Sequence, residues 1–175
     1  MNRRNLLTIS AATALGLALL AGNAVAQQKS LKEQLTGTWS LVSITSKLPD
    51  GTKSDPYGSN PKGVLSLENN GRLSFIITAS NLPKFVSNNR ATGTADENKA
   101  VVQGSIAYFG TYTVDAADKS YTLRVEGSTF PNSTGLSQKR MVAISGDDLM
   151  ITNPAGTAGG TAESKWKRVS SVATN

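Results

Sequence analysis

Leu35-Thr36-Gly37-Thr38-Trp39-Ser40-Leu41-Val42-Ser43 is the stretch whose reading decides the fold. A Gly-x-Trp leads into a run in which large apolar and small polar residues alternate. Alternation at period two puts successive side chains on opposite faces of a strand. The spacing predicts a strand over 39–46, with Trp39 and Leu41 on one face and Val42 and Ile44 on the other. The residues just before it, 30–35, read as an amphipathic entry of one helical turn.

Downstream of this stretch the period stays at two and turn signals recur. Asp50-Gly51 opens an irregular loop through Pro56-Tyr57-Gly58 and Pro61. Strands are expected over 63–68 and 72–78, joined by Asn69-Asn70-Gly71, whose residues tolerate the positive φ of a tight hairpin. Residues 80–104 break the pattern. Thr94-Ala95-Asp96-Glu97 matches a capping box, so a short helix over 95–103 is expected, ending at Gly104. That helix is either a lid over one barrel end or a plain connection. Further strands are expected over 106–114, 121–127, 138–145, 149–152 and 162–169. The first places Ile106, Tyr108, Tyr112 and Val114 on one face and Phe109 on the other. Eight short antiparallel strands in sequence suit an up-and-down β-barrel, whose lumen either fills with side chains or holds one small ligand.

Upstream, residues 1–26 read as an export signal: Arg3 and Arg4, an uncharged apolar run over 6–21, and the small-x-small site Ala24-Val25-Ala26. The run falls short of the roughly 20 apolar residues a membrane span needs. The paired arginines fit a twin-arginine route and an ordinary Sec route equally. No cysteine follows, which excludes a lipoprotein anchor. A periplasmic or secreted domain over 27–175 is expected, with no stable membrane insertion once the signal is removed.

Composition narrows the chemistry. The 149 residues after the signal carry 16 basic and 12 acidic side chains, a net charge of +4. The basic residues are scattered, without the stripe and aromatic interleaving of a nucleic-acid surface, so no nucleic acid is expected as a partner. Histidine and cysteine are both absent. That excludes Ser-His-Asp and Cys-His nucleophile systems and His-liganded zinc or iron. The acidic residues lack EF-hand spacing. Ser59-Asn60-Pro61-Lys62 has a Ser-x-x-Lys spacing, but Pro61 interrupts the helical turn this chemistry needs. Residues 156–161 resemble a phosphate loop without the helix that would supply amides. No catalytic residue, metal or cofactor is assigned.

Several motifs carry a resemblance spanning nearly the whole exported domain in order. They are Leu35-x-Gly37-Thr38-Trp39-x-Leu41-Val42-Ser43, Asp50-Gly51, Pro56-Tyr57-Gly58-x-x-Pro61-x-Gly63 and Gly71-Arg72-Leu73-Ser74. Ala107-Tyr108-Phe109-Gly110-Thr111-Tyr112-Thr113-Val114, Pro131-Asn132-x-x-Gly135 and Trp166-x-Arg168 complete the set. The chain resembles the bacterial and fungal lipocalin-like domain proteins. The resemblance implies an all-β, eight-stranded antiparallel up-and-down lipocalin-like barrel with one short helix and a central cavity, and it implies little about activity. It also implies that Trp39 packs beneath Arg168 to close the barrel base, as a cation–π pair. Relatives tend to carry a histidine in the strand that here reads Tyr121-Thr122-Leu123-Arg124-Val125-Glu126-Gly127.

Candidate ligand contacts follow from this arrangement. Tyr108 and Tyr112 offer flat apolar area with a hydroxyl, which suits an amphipathic small molecule; the alternative is that they fill the barrel. Tyr57, Arg72 and Phe75 lie near one mouth. Arg124 and Glu126 share a face that is either an exposed charge pair or, with the strand reversed, part of the lumen. Three functions are consistent with the chain: a barrel binding a small hydrophobic or amphipathic molecule, a solid structural or interaction barrel, and a cofactor-independent isomerase or cyclase.

Overall fold

The computed structural model describes residues 29–170, so the export segment at 1–26 lies outside the described residues. Ser30 starts the fold with a capping box. Its hydroxyl accepts from the Glu33 amide, and the Glu33 carboxylate accepts from the Ser30 amide at 2.8 Å, opening helix α1 (Leu31–Leu35). Strand β1 (Gly37–Lys47) follows at once. Gly37 sits at φ +134°, and a Cβ there would stand 2.8 Å from the Arg168 guanidinium. The glycine of Gly-x-Trp is therefore what lets that arginine reach across the barrel base.

The remaining strands are β2 (Lys53–Ser54), β3 (Lys62–Leu67), β4 (Arg72–Thr78), β5 (Ser105–Asp115), β6 (Ser120–Ser128), β7 (Ser137–Ser145), β8 (Asp148–Asn153) and β9 (Thr161–Arg168). Every pairing is antiparallel. β1 through β9 join in chain order, except that the two-residue β2 pairs only with the end of β1, and β9 returns to pair with β1. Leaving β2 aside, eight strands close a ring. Closure gives each barrel strand a neighbour on both sides and leaves no sheet edge to template aggregation. This is the up-and-down barrel that the alternation predicted and that the resemblance implied to be lipocalin-like.

Two bulges reset which residues face inward. Between Leu41 and Ser43 the β1–β9 register shifts by one residue. Trp39 and Leu41 point into the core, and Val42 is 57% exposed on the outer wall. Past the bulge the parity inverts, so Ile44 and the buried Ser46 face inward. The expectation that Ile44 shares a face with Val42 is thereby corrected; an extra residue in a strand flips every side chain after it. The second bulge lies where Phe109 and Gly110 oppose Gly127 and Val125, leaving Glu126 as the extra residue of β6.

The lumen is filled at one end. Leu35, Trp39, Leu67, Leu73 and Leu123 are almost fully buried there. The Trp39 indole donates to the Leu35 carbonyl at 2.9 Å, so α1 plugs the base. The Arg168 guanidinium lies 4.1 Å from the Trp39 ring centroid and donates to the Thr36 and Gln34 carbonyls at 2.9 and 2.5 Å. It both stacks on the indole and satisfies carbonyls at the end of α1.

The 3-10 turn Arg90–Thr92 and helix α2 (Ala95–Gly104) lie in the long β4–β5 connection. The Thr94–Glu97 capping box forms as its spacing predicted, and the Glu97 carboxylate also accepts from the Val86 amide at 2.8 Å. These backbone bonds hold the carboxyl below the usual carboxylate range. α2 packs against β5 and contributes no residue to the cavity described below, so it is a tied-down connection and not a lid.

Candidate functional site

Away from the plugged base, the lumen opens into a cavity of about 70 Å³. It lies where β1, β6 and β8 end and where β5, β7 and β9 begin. The apolar side of its wall comes from Phe75 and Ile77 on β4, Ile106 on β5, Val125 on β6 and Ile151 on β8. Each falls on the inward parity of its strand. Three loops narrow the mouth: the β2–β3 loop with Tyr57, the 3-10 turn Pro131–Ser133 with Ser133, and the β8–β9 loop with Thr157 and Ala158.

An aromatic row braces this wall. Phe75 stacks on Tyr108 with ring centroids 4.4 Å apart and planes at 11°, and it meets Trp166 edge-on at 5.6 Å. The Trp166 indole donates to the buried Ser164 hydroxyl at 2.8 Å, which fixes the row from below. Contacts of this kind hold side chains in single rotamers, so the wall is preformed.

A polar stretch of the wall lies on β7, between β6 and β8. On β7, Gln138 and Arg140 point inward while Lys139 between them points out and pairs with Asp118. Arg140 is only 6% exposed. Its Nη1 donates to its neighbour's carbonyl, Lys139 O, at 3.0 Å, and its Nη2 donates to the Gln138 side-chain oxygen. Among the described residues no carboxylate lies within 4.0 Å of it. Among the described residues, Arg140 is also the one charged side chain lining the cavity.

Burial pushes the Tyr108 hydroxyl up to about 12, against the pull of the Arg140 guanidinium beside it. Burial likewise raises Tyr57 and, further still, Tyr121, which sits across the strand pair from Arg140. All three phenols are therefore neutral donors at ordinary pH. Among the described residues no group of three acidic side chains converges to hold a metal ion.

The structure brings three of the six sequence candidates together. Tyr57, Phe75 and Tyr108 line the cavity. Tyr112 is buried below it, donating to the Glu68 carbonyl at 2.9 Å and meeting Tyr121 edge-on at 6.2 Å, so it fills the barrel. Arg72 lies on the outer wall, where its Nη1 pairs with Glu126 at 2.7 Å. Arg124 is exposed on the same surface, and Glu126 takes Arg72 as its partner in place of Arg124. Arg72, Tyr112 and Arg124 thus leave the candidate set. Sequence reading passed over Gln138, Arg140, Tyr121 and Ser46. A signal for Arg140 was present: it shares strand parity with Val142 and Ile144, which places a guanidinium on an inward face.

The lipocalin-like domain family matches residues 36–173 of the chain. Among solved structures, a lipocalin-like protein from Bacteroides uniformis is 14% identical, covering 78% of this chain and 99% of its own at a TM-score of 0.42. The secretory abundant heat soluble protein 4 of Ramazzottius varieornatus is 15% identical, with coverages of 82% and 99% and a TM-score of 0.39. No curated protein matches the chain in sequence.

Proposed function

The chain belongs to the lipocalin-like domain family, and we propose that it is an exported protein that binds a small amphipathic molecule at the open end of its barrel. The observation that carries this reading is the cavity itself. Aromatic and aliphatic side chains line it together with Arg140, Gln138 and neutral phenols, around about 70 Å³. That volume is well below the several hundred Å³ of sites enclosing a drug-sized ligand. The occupant is a short molecule, or a longer one whose tail leaves through the mouth.

Binding is favoured over catalysis by the ionisable groups available. General acid–base work needs a group that titrates near the operating pH. The phenols that line the cavity are pushed up and away from neutrality. Among the described residues no helix is long and apolar enough to cross a membrane.

Native mass spectrometry of the protein, recovered from its exported fraction without detergent, tests the proposal. The expected result is a discrete additional mass that organic extraction removes. A bare mass, combined with no uptake from an organic extract of the same cells, would overturn it in favour of a solid barrel.

A further inference from the structure

We infer that the polar wall of the cavity is a carboxylate subsite, in which Arg140 anchors the head of a small monocarboxylate whose carbon tail lies against Phe75 and Ile77. The inference rests on the binding role proposed above and names the chemical class of the ligand.

Its first support is the state of Arg140. A guanidinium out of water is costly unless it is paired. Here it is 6% exposed, and among the described residues it has no carboxylate partner. Its hydrogen bonds to the Lys139 carbonyl and the Gln138 side-chain oxygen go to neutral acceptors, which orient the group without balancing its charge. A guanidinium carries five N–H donors, so donors remain for a further acceptor. Two fixed bonds on a rigid strand hold the fork in place before any ligand arrives.

Charge and shape then select among anions. A guanidinium fork matches a carboxylate through two parallel N–H···O bonds. Because Arg140 is the sole charged group among the described residues lining the cavity, a single negative charge neutralises the site. A phosphate dianion would leave excess charge buried with no second cation. The Tyr108 hydroxyl, kept protonated by burial, adds a neutral donor beside the guanidinium. Its ring is held by the stack on Phe75 at 4.4 Å.

Size and polarity fix the rest of the ligand. A cavity of about 70 Å³ takes a carboxylate with a few carbons. Phe75, Ile77 and Ile106 line the same cavity as Arg140, which favours an unbranched or flat apolar tail.

The test compares butyrate with butyramide, its neutral counterpart of near-identical shape, by NMR titration of the mature protein at millimolar ligand. Hydrogen bonds to a charged group should give butyrate a preference of about tenfold or more. In Arg140→Met the preference should vanish while butyramide still binds at its original strength. Arg140→Met should also melt no lower than the parent, because an unpaired buried charge is replaced by an apolar side chain of similar length. Should that variant fail to fold, Arg140→Lys serves instead. It keeps the charge without the fork and should retain only part of the preference. Equal affinity for the two probes would overturn the carboxylate subsite and leave cavity binding standing. So would inorganic phosphate competing as well as butyrate, or a preference that survives in Arg140→Met. Binding of neither probe by the parent would overturn the carboxylate subsite, while the binding role stands or falls on the mass measurement.

Discussion

Trp39 and Arg168 show how much one pair of residues contributes to closing this barrel. Arg168 stacks on the indole at 4.1 Å while donating to two carbonyls at the end of α1. Arg168→Ala removes the stack and leaves both carbonyls short of a donor, so a loss of about 2 kcal/mol is expected. Arg168→Lys should recover less than half of that. A lysine is a point charge and cannot both lie flat on the ring and reach two carbonyls. Urea unfolding measures both, and a lysine variant as stable as the parent would sink the account. Ser120 is the opposite case. It is fully buried, and its hydroxyl has no hydrogen-bond partner among the described residues. Ser120→Ala relieves that group, so stability should hold or rise by up to about 1 kcal/mol in the same experiment.

At the scale of elements, the bulges decide the shape of the cavity. In the β5–β6 pair, a Cβ on Gly110 would stand 1.9 Å from the Arg124 carbonyl. The strands approach this closely because Glu126 is the extra residue and the ladder tightens around it. Gly110→Ala should therefore cost about 3 kcal/mol or more, with backbone displaced in the strand that carries Tyr108. A soluble variant melting within a few degrees of the parent would show that the strands can part cheaply. Across the same pair, the Phe109 ring packs over Gly127 on the outer wall. The ion pair of Arg72 with Glu126 also sits outside and half-exposed, where such pairs contribute at most about 1 kcal/mol.

For the whole molecule, the buried phenols set a limit on alkaline stability. The folded chain raises Tyr108 from the ordinary value of 10.0 to about 12, and raises Tyr57 and Tyr121 as well. Below the unfolded value both states keep these protons, so the contribution to stability is constant and fully present. Above it the unfolded chain releases protons that the folded chain retains. Stability should fall as pH climbs from 10.0 through about 12, by about 1.4 kcal/mol per unit of displacement for each phenol. Urea midpoints at about pH 8 and about pH 11 measure the fall, and Tyr108→Phe should shrink it. A midpoint unchanged between those conditions would mean that the phenols ionise without unfolding the barrel.

The two-residue β2 lies in what read as an irregular loop, whereas the positions of the eight barrel strands, their hairpins, the capping box of α2 and the ring itself were legible in the sequence. Each depends on local rules: alternation at period two, Asn-Gly and Asp-Gly turns, and a cap spaced three residues from its acid. The resemblance carried by the Gly-x-Trp opening and the terminal Trp166-x-Arg168 implied which end is closed. Inward and outward faces could be read only as far as the first bulge of a strand, which is why Ile44 changed sides. Arg72, Arg124 and Tyr112 were candidates by residue type and place in the chain, yet two lie outside the wall and one fills its base. The pairing of Arg72 with Glu126, the neutral surroundings of Arg140 and the volume left above Trp166 join residues far apart in the chain. Such contacts exist only once the ring has closed, because they depend on which strands become neighbours and how their registers slip. The sequence alone therefore determined the barrel, and tertiary structure decided that the barrel holds a small cavity with one buried guanidinium in its wall.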